Sequence, residues 1–297
     1  MIYDIRHVTT YEYGSTVTFN YCALRLLPQD GPGQRVLETR LSVDPAPKEM
    51  HERCCFFGNR VTSMMIETAH RELTVEASSV VEIDRAPAPD PASTGAWEFV
   101  REDAFASQSL DNRSPAQYLH PSRYVPRFSP ATAYARESFT DGRPVLEAAI
   151  ELMRRMRKDF SYDPTSTVIS TPLSQAFAQK SGVCQDFAHI MIAGLRGLGL
   201  PAAYISGYIR TIPLDGTPKL EGSDAMHAWV SLWCGERVGW IGLDPTNSTL
   251  VNNDHVMLAE GRDYADISPV AGIVTGAGEQ DIDVKVDVVP RRGDAPA

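Results

Sequence analysis

The stretch Ser181-Gly182-Val183-Cys184-Gln185-Asp186-Phe187-Ala188-His189 decides how this chain is read. Ser181-Gly182 is a breaker pair. The residues after it are predominantly apolar as far as Leu198, where Gly199-Leu200-Pro201 stops them. A long helix is therefore predicted from about Cys184 to Leu198, with a cysteine opening it. The first backbone N–H groups of a helix lack intrahelical partners and lie at the positive end of its dipole. Both favour an anionic sulfur over a neutral thiol. The same N–H groups can hold the oxyanion of a tetrahedral intermediate. Cys184, Ala188, Met191 and Leu195 fall on one face, so the sulfur belongs at the mouth of a packed core. A helix-start cysteine that merely packs is the plainer reading of this stretch alone.

A thiolate nucleophile needs a base, and the base needs an orienting group. The candidate base is His227 in Asp224-Ala225-Met226-His227-Ala228-Trp229-Val230, a strand pattern that puts His227 and Trp229 on one face. The strand ends at Cys234. A two-residue turn at Gly235-Glu236 then starts a hairpin, and that register sets His227 opposite Asp244. A slip of two residues would keep the pair on one face, whereas a slip of one would separate them. Taken singly, His227 reads as a packed histidine and Asp244-Pro245 as a turn. Together they match the needs of Cys184.

These residues carry a family resemblance. The nucleophile stretch, continued by Gly197-Leu198-Gly199-Leu200-Pro201-Ala202 and Tyr204-Ile205-Ser206-Gly207-Tyr208, resembles that of the transglutaminase-like superfamily. His227-Ala228-Trp229-Val230 and Gly239-Trp240-Ile241-Gly242-Leu243-Asp244-Pro245-Thr246-Asn247 resemble its histidine and aspartate segments, in the same order. Phe57-Gly58-Asn59-Arg60 and His70-Arg71-Glu72-Leu73 resemble the N-terminal domain of bacterial members. Gly261-Arg262-Asp263-Tyr264-Ala265-Asp266 and Gly278-Glu279-Gln280 fit the same branch, in its cysteine-protease type. The resemblance implies an α+β, papain-like core with the cysteine helix packed on an antiparallel sheet. It implies catalysis by Cys184, His227 and Asp244 through an acyl-thioester, resolved by water or by an amine. Animal transglutaminases depend on calcium and carry β-domains after the core. No D-x-D-x-D-G loop occurs here, and the core is read as extending to residue 289. Hydrolysis of an amide or peptide bond is therefore expected ahead of crosslinking.

Outward from this core, residues 1–85 alternate with period two in several segments and read as an N-terminal β-sandwich-like domain. Residues 86–140 begin with the stiff Ala86-Pro87-Ala88-Pro89-Asp90-Pro91 and read as a Pro-rich connector with short helices. Residues 141–289 form the catalytic core. Asp141 is its expected first helix cap, and a strand over residues 282–288 follows some 35 residues of loop-like sequence. Residues 290–297 read as a tail.

The chain has 297 residues, with 38 acidic and 28 basic side chains and a net charge of −10. That balance argues against nucleic acid as a partner. No apolar run is long enough for a membrane helix. Five cysteines, at 22, 54, 55, 184 and 234, are an odd and uneven set, so reduced thiols and a cytoplasmic location are expected. All but Cys184 read as packing residues. Asp186 and His189 do not share the helix face of Cys184, so a zinc site from Cys184, His189 and His227 is disfavoured. No cofactor is expected. Trp229 is a candidate cleft wall. Tyr162 is a candidate oxyanion donor, although no motif fixes its position. The partner is expected to be a peptide or protein amide. A true transglutaminase, or a binding module that keeps the scaffold without the chemistry, are the competing readings.

Overall fold

The structure, a computed structural model, describes residues 1–211, 222, 224–276 and 278–291. Period-two alternation in the first 83 residues builds β1 (Ile2–Val17), β2 (Phe19–Leu24), β3 (Gln34–Asp44), β4 (Glu49–Cys54), β5 (Arg60–Ile66) and β6 (His70–Ile83). The sequence pattern did not mark β4, because every residue in it is exposed.

The connector carries α1 (Trp97–Ala106) and α2 (Ser129–Arg136). The core then runs through α3 (Val145–Asp159), β7 (Ser161–Tyr162), α4 (Leu173–Gln179), β8 (Ser181–Gly182) and α5 (Cys184–Gly197). Asp141 does not cap α3. The helix starts after Pro144, and Thr94 Oγ1 accepts the Leu146 N–H from across the fold at 3.2 Å. Five strands follow: β9 (Ala202–Ile209), β10 (Ala225–Trp233), β11 (Trp240–Asp244), β12 (Thr249–Leu250) and β13 (His255–Gly261). Then come α6 (Tyr264–Ile267), β14 (Val270–Thr275) and β15 (Gln280–Pro290). The stretch expected to be loop-like thus holds β12, β13, α6 and β14.

Two four-stranded sheets, in the orders β15-β1-β6-β3 and β14-β2-β5-β4, enclose a core that includes Val17, Leu24, Met64, Ile66, Leu73 and Val75. This is the expected sandwich with one difference. Its last two strands come from the far end of the sequence, β15 beside β1 and β14 beside β2. The strand over 282–288, which the sequence reading groups with the catalytic core, therefore completes an N-terminal sheet.

The second layer is a five-stranded antiparallel sheet in the order β12-β11-β10-β9-β13. Helix α5 lies against β9 and β10 and is covered on its other side by α2, α3 and α4, so residues 185–196 are all buried. Gly194 permits this cover, since a Cβ there would come within 2.9 Å of Ala135 Cβ and 3.0 Å of Ala131 O. The opposite face of the sheet is sealed by Tyr118 of the connector, which packs with Ala203, Ile205 and Trp229. Among the described residues, no helix is long and apolar enough to cross a membrane.

Candidate active site

The start of α5 is fixed by its own third residue. Asp186 Oδ2 accepts the Val183 N–H at 2.9 Å and the Thr167 hydroxyl at 2.6 Å. A Cβ on Gly182 would lie 2.6 Å from that oxygen, so the position needs a residue without one. Cys184 thus enters the first turn partly exposed, while Ala188, Met191 and Leu195 beneath it are buried.

Opposite stands the hairpin of β10 and β11. The expected two-residue turn would set Val230 against Ile241, but Val230 pairs with Leu243 and Trp233 with Trp240. The turn is wider because Gly235 and Gly239 both take left-handed backbone, with φ of 93° and 74°. Cys234 N–H closes it on Gly239 O at 2.8 Å. The register therefore moves by two residues, which preserves side-chain parity. His227 and Asp244 stay on one face, and His227 Nε2 donates to Asp244 Oδ2 at 2.7 Å. That leaves Nδ1 as the nitrogen available to Cys184.

The carboxylate is completely buried, a state that is costly unless donors surround it. Oδ1 accepts the Thr246 and Asn247 backbone N–H groups at 3.0 and 3.1 Å. Oδ2 accepts from His227, from Asn247 Nδ2 at 2.7 Å and from His255 Nε2 at 3.3 Å. Burial by itself would raise the Asp244 carboxyl, but these donors, with His227 foremost, hold it far below the usual carboxylate range. At His227, burial opposes the charged ring. Hydrogen bonds with Asp244 and Cys184 outweigh it and push the imidazole up to about 10. The pair thus favours an imidazolium beside an anion.

The other candidates separate. Trp229 is 3% exposed and is no cleft wall; its ring lies 6.1 Å from that of His227 and 5.3 Å from that of His255, backing both. Tyr162 is exposed and pairs through the parallel β7–β8 bridge with Gly182. Partial burial, and then the nearby Cys184, raise its phenol. An open hollow of about 500 Å³ is lined by Thr167, Val168, Ile169, Ser170, Val183 and Gln185, the last two flanking Cys184 in sequence. A larger hollow of about 750 Å³ lies on the sheet face bearing Arg6, Arg40 and Ser78, and no candidate site residue lines it. Cys22 and Cys234 are buried as expected. Cys54 is exposed and Cys55 partly so, because β4 lies at a sheet edge with no cover.

His255 and Asn247 were missed as site residues. Asn247 stands within the quoted aspartate segment. His255 carries no local signal, because only the pairing of β13 with the distant β9 brings it near. His227, Asp244 and His255 present potential metal-ligand atoms within 4.8 Å of one another, a trio different from Cys184, His189 and His227. The 2.7 and 3.3 Å contacts to one carboxylate oxygen are those of a hydrogen-bonded network.

Residues 3–82 match the bacterial transglutaminase-like N-terminal region, and residues 132–245 match the transglutaminase-like superfamily. An uncharacterised protein of Mycobacterium tuberculosis is 37% identical over 305 residues, spanning 99% of this chain and 94% of that protein. A protein-glutamine gamma-glutamyltransferase of Pseudomonas aeruginosa is 31% identical over 104 residues, or 32% of this chain and 15% of that protein. The fold is shared with the solved structure of a candidate cysteine protease from Cytophaga hutchinsonii, at a TM-score of 0.73 and 20% identity over 98% of this chain and 91% of that one.

Proposed function

Because this chain belongs to the transglutaminase-like superfamily, we propose that it is a cysteine-dependent acyl-transfer enzyme that hydrolyses amide or peptide bonds in peptide or protein substrates. The observation that carries this reading is the chain of contacts from Cys184 through His227 to a buried Asp244. In the proposed cycle His227 Nδ1 takes the thiol proton and the sulfur attacks the substrate carbonyl. The N–H groups at the start of α5 hold the resulting oxyanion. As the intermediate collapses, the C–N bond breaks and the imidazolium gives its proton to the leaving amine. A water molecule, deprotonated by His227, then attacks the thioester. It releases the acid, and the proton returns to the sulfur. Asp244 keeps the ring oriented and stays ionised throughout.

The hollow lined by Val183 and Gln185, the sequence neighbours of Cys184, supports an extended substrate, with Val168 and Ile169 offering an apolar wall. The odd, uneven cysteine set supports a reducing, cytoplasmic setting. In a second reading an amine replaces water in the last step. It is favoured by the 104-residue likeness to the glutamyltransferase. A peptide library incubated with and without a primary amine, with products weighed by mass spectrometry, separates these outcomes. Chain cleavage or ammonia release supports hydrolysis, and a joined amine supports transamidation. Cellular function retained by Cys184→Ala would instead favour a binding role.

A further inference from the structure

We propose that His255 is a positioning residue of this site, holding the Asp244 carboxylate so that His227 is presented to Cys184. The proposal rests on the Cys184–His227–Asp244 reading above. Of the donors to Asp244, Thr246 and Asn247 lie within three residues of it and tie it only to its own turn. His227 and His255 are the side chains that reach it from other strands. In the sheet order β12-β11-β10-β9-β13, His255 comes from the opposite edge, beyond β9.

Gly207 of β9 makes that reach possible. It pairs with His227 on one side and Met257 on the other. A Cβ there would lie 2.5 Å from Trp229 Cη2 and 2.1 Å from Val256 O. The bare backbone leaves room for the rings of His227, Trp229 and His255 to gather over one face of the sheet.

The His255 ring is itself clamped and fully buried. Its Nδ1 accepts the Asn252 backbone N–H at 3.3 Å. Trp229 stands edge-on at 5.3 Å between ring centroids, with an interplanar angle of 77°. An ionised carboxylate only accepts, so Nε2 of His255 carries the proton shared with Asp244. Two histidines thus share Asp244 Oδ2. One faces the nucleophile, and the other, locked by Asn252 and Trp229, fixes where that oxygen points.

The test reads the thiol and needs no known substrate. Alkylation of Cys184 by iodoacetamide is followed across pH by mass spectrometry in the wild type, His227→Ala, His255→Leu and His255→Gln, with thermal unfolding of each as a control. The inflection that His227→Ala abolishes marks the base. His255→Leu is expected to slow labelling near neutral pH on the order of tenfold, the size seen when an oriented site group loses its outer partner. It also moves the inflection to lower pH, because a loosened carboxylate supports the imidazolium less. His255→Gln, which keeps an N–H donor, restores both rate and inflection.

Equal slowing in the Leu and Gln variants, or an unmoved inflection, would reduce His255 to packing. An upward move would make it a competitor of His227 for Asp244. Stoichiometric metal in the wild type that is lost in His255→Leu would make it a ligand. Each of these overturns the proposal while leaving the base assignment intact. A wild-type profile identical to that of His227→Ala overturns the underlying reading, and the proposal with it.

Discussion

Two buried histidines lie on opposite sides of the α5–sheet interface, and their surroundings drive them apart. His189, inside α5, stacks on Tyr124 with ring centroids 5.9 Å apart and leans on Tyr204 at 4.8 Å. Its Nε2 accepts the Tyr264 N–H at 3.3 Å. With burial dominant and Asp263 only a partial offset, it is lowered to about 4 and stays neutral. His227 is as well buried, yet it is pushed up to about 10, because a carboxylate within 2.7 Å and Cys184 outweigh the loss of water. Burial alone therefore strips a histidine of its proton. A buried acceptor at hydrogen-bond distance holds the proton on.

The largest expected break in this contrast is at the proposed nucleophile. Cys184→Ala should lower turnover by at least about 10⁴-fold, with the fold unchanged by circular dichroism. Asp244→Asn removes what distinguishes His227 from His189, and kcat should fall by roughly 10²–10⁴-fold. A loss under about threefold in Asp244→Asn would mean the carboxylate is structural only.

An open hollow is lined by Val183 and Gln185, the sequence neighbours of Cys184, whereas His189 is sealed. Ile169→Asp should accordingly lower kcat/KM for peptides with apolar residues near the scissile bond by about tenfold, while iodoacetamide labelling of Cys184 stays close to wild type. Uniform loss across all peptides would remove the hollow from the substrate path.

The mildest test concerns His189, where His189→Phe should leave kcat close to wild type. Its folded value of about 4 lies below the ordinary 6.5. The unfolded chain therefore takes up the proton first as pH falls, and stability present above 6.5 is lost toward 4. For His227 the sign reverses: its contribution is complete below 6.5 and disappears as pH rises through 10. Between pH 7 and pH 5, His189→Phe should lose about 2 kcal/mol less than the wild type in urea unfolding.

The sequence was most legible where local rules act. Ser181-Gly182 before an apolar run marked α5, and alternation marked β1, β3, β5 and β6. The parity of β10 and β11 was readable, but the turn was not. Gly235 and Gly239 both adopt left-handed backbone, and a string of residues does not say which glycines a turn will use. Tertiary arrangements left still less trace. β13 has no alternation because its residues are buried almost throughout, so His255 went unnoticed. Trp229 shares the face of His227, yet that face is roofed by Tyr118 from a connector with little pattern.

The return of β14 and β15 to the first sheets bears on the order of assembly. Tyr3 pairs with Pro290 and Leu24 with Val270, so the outer neighbours of β1 and β2 leave the ribosome after everything between them. The helices around α5 can fold from near contacts while those two strands still expose unpaired N–H and C=O groups, the kind of border that recruits a second chain. A chain ending at residue 268 should therefore self-associate with rising concentration in light scattering, and a full chain should not. Until β14 and β15 are made, the sandwich stands half open, and those two strands are its seal.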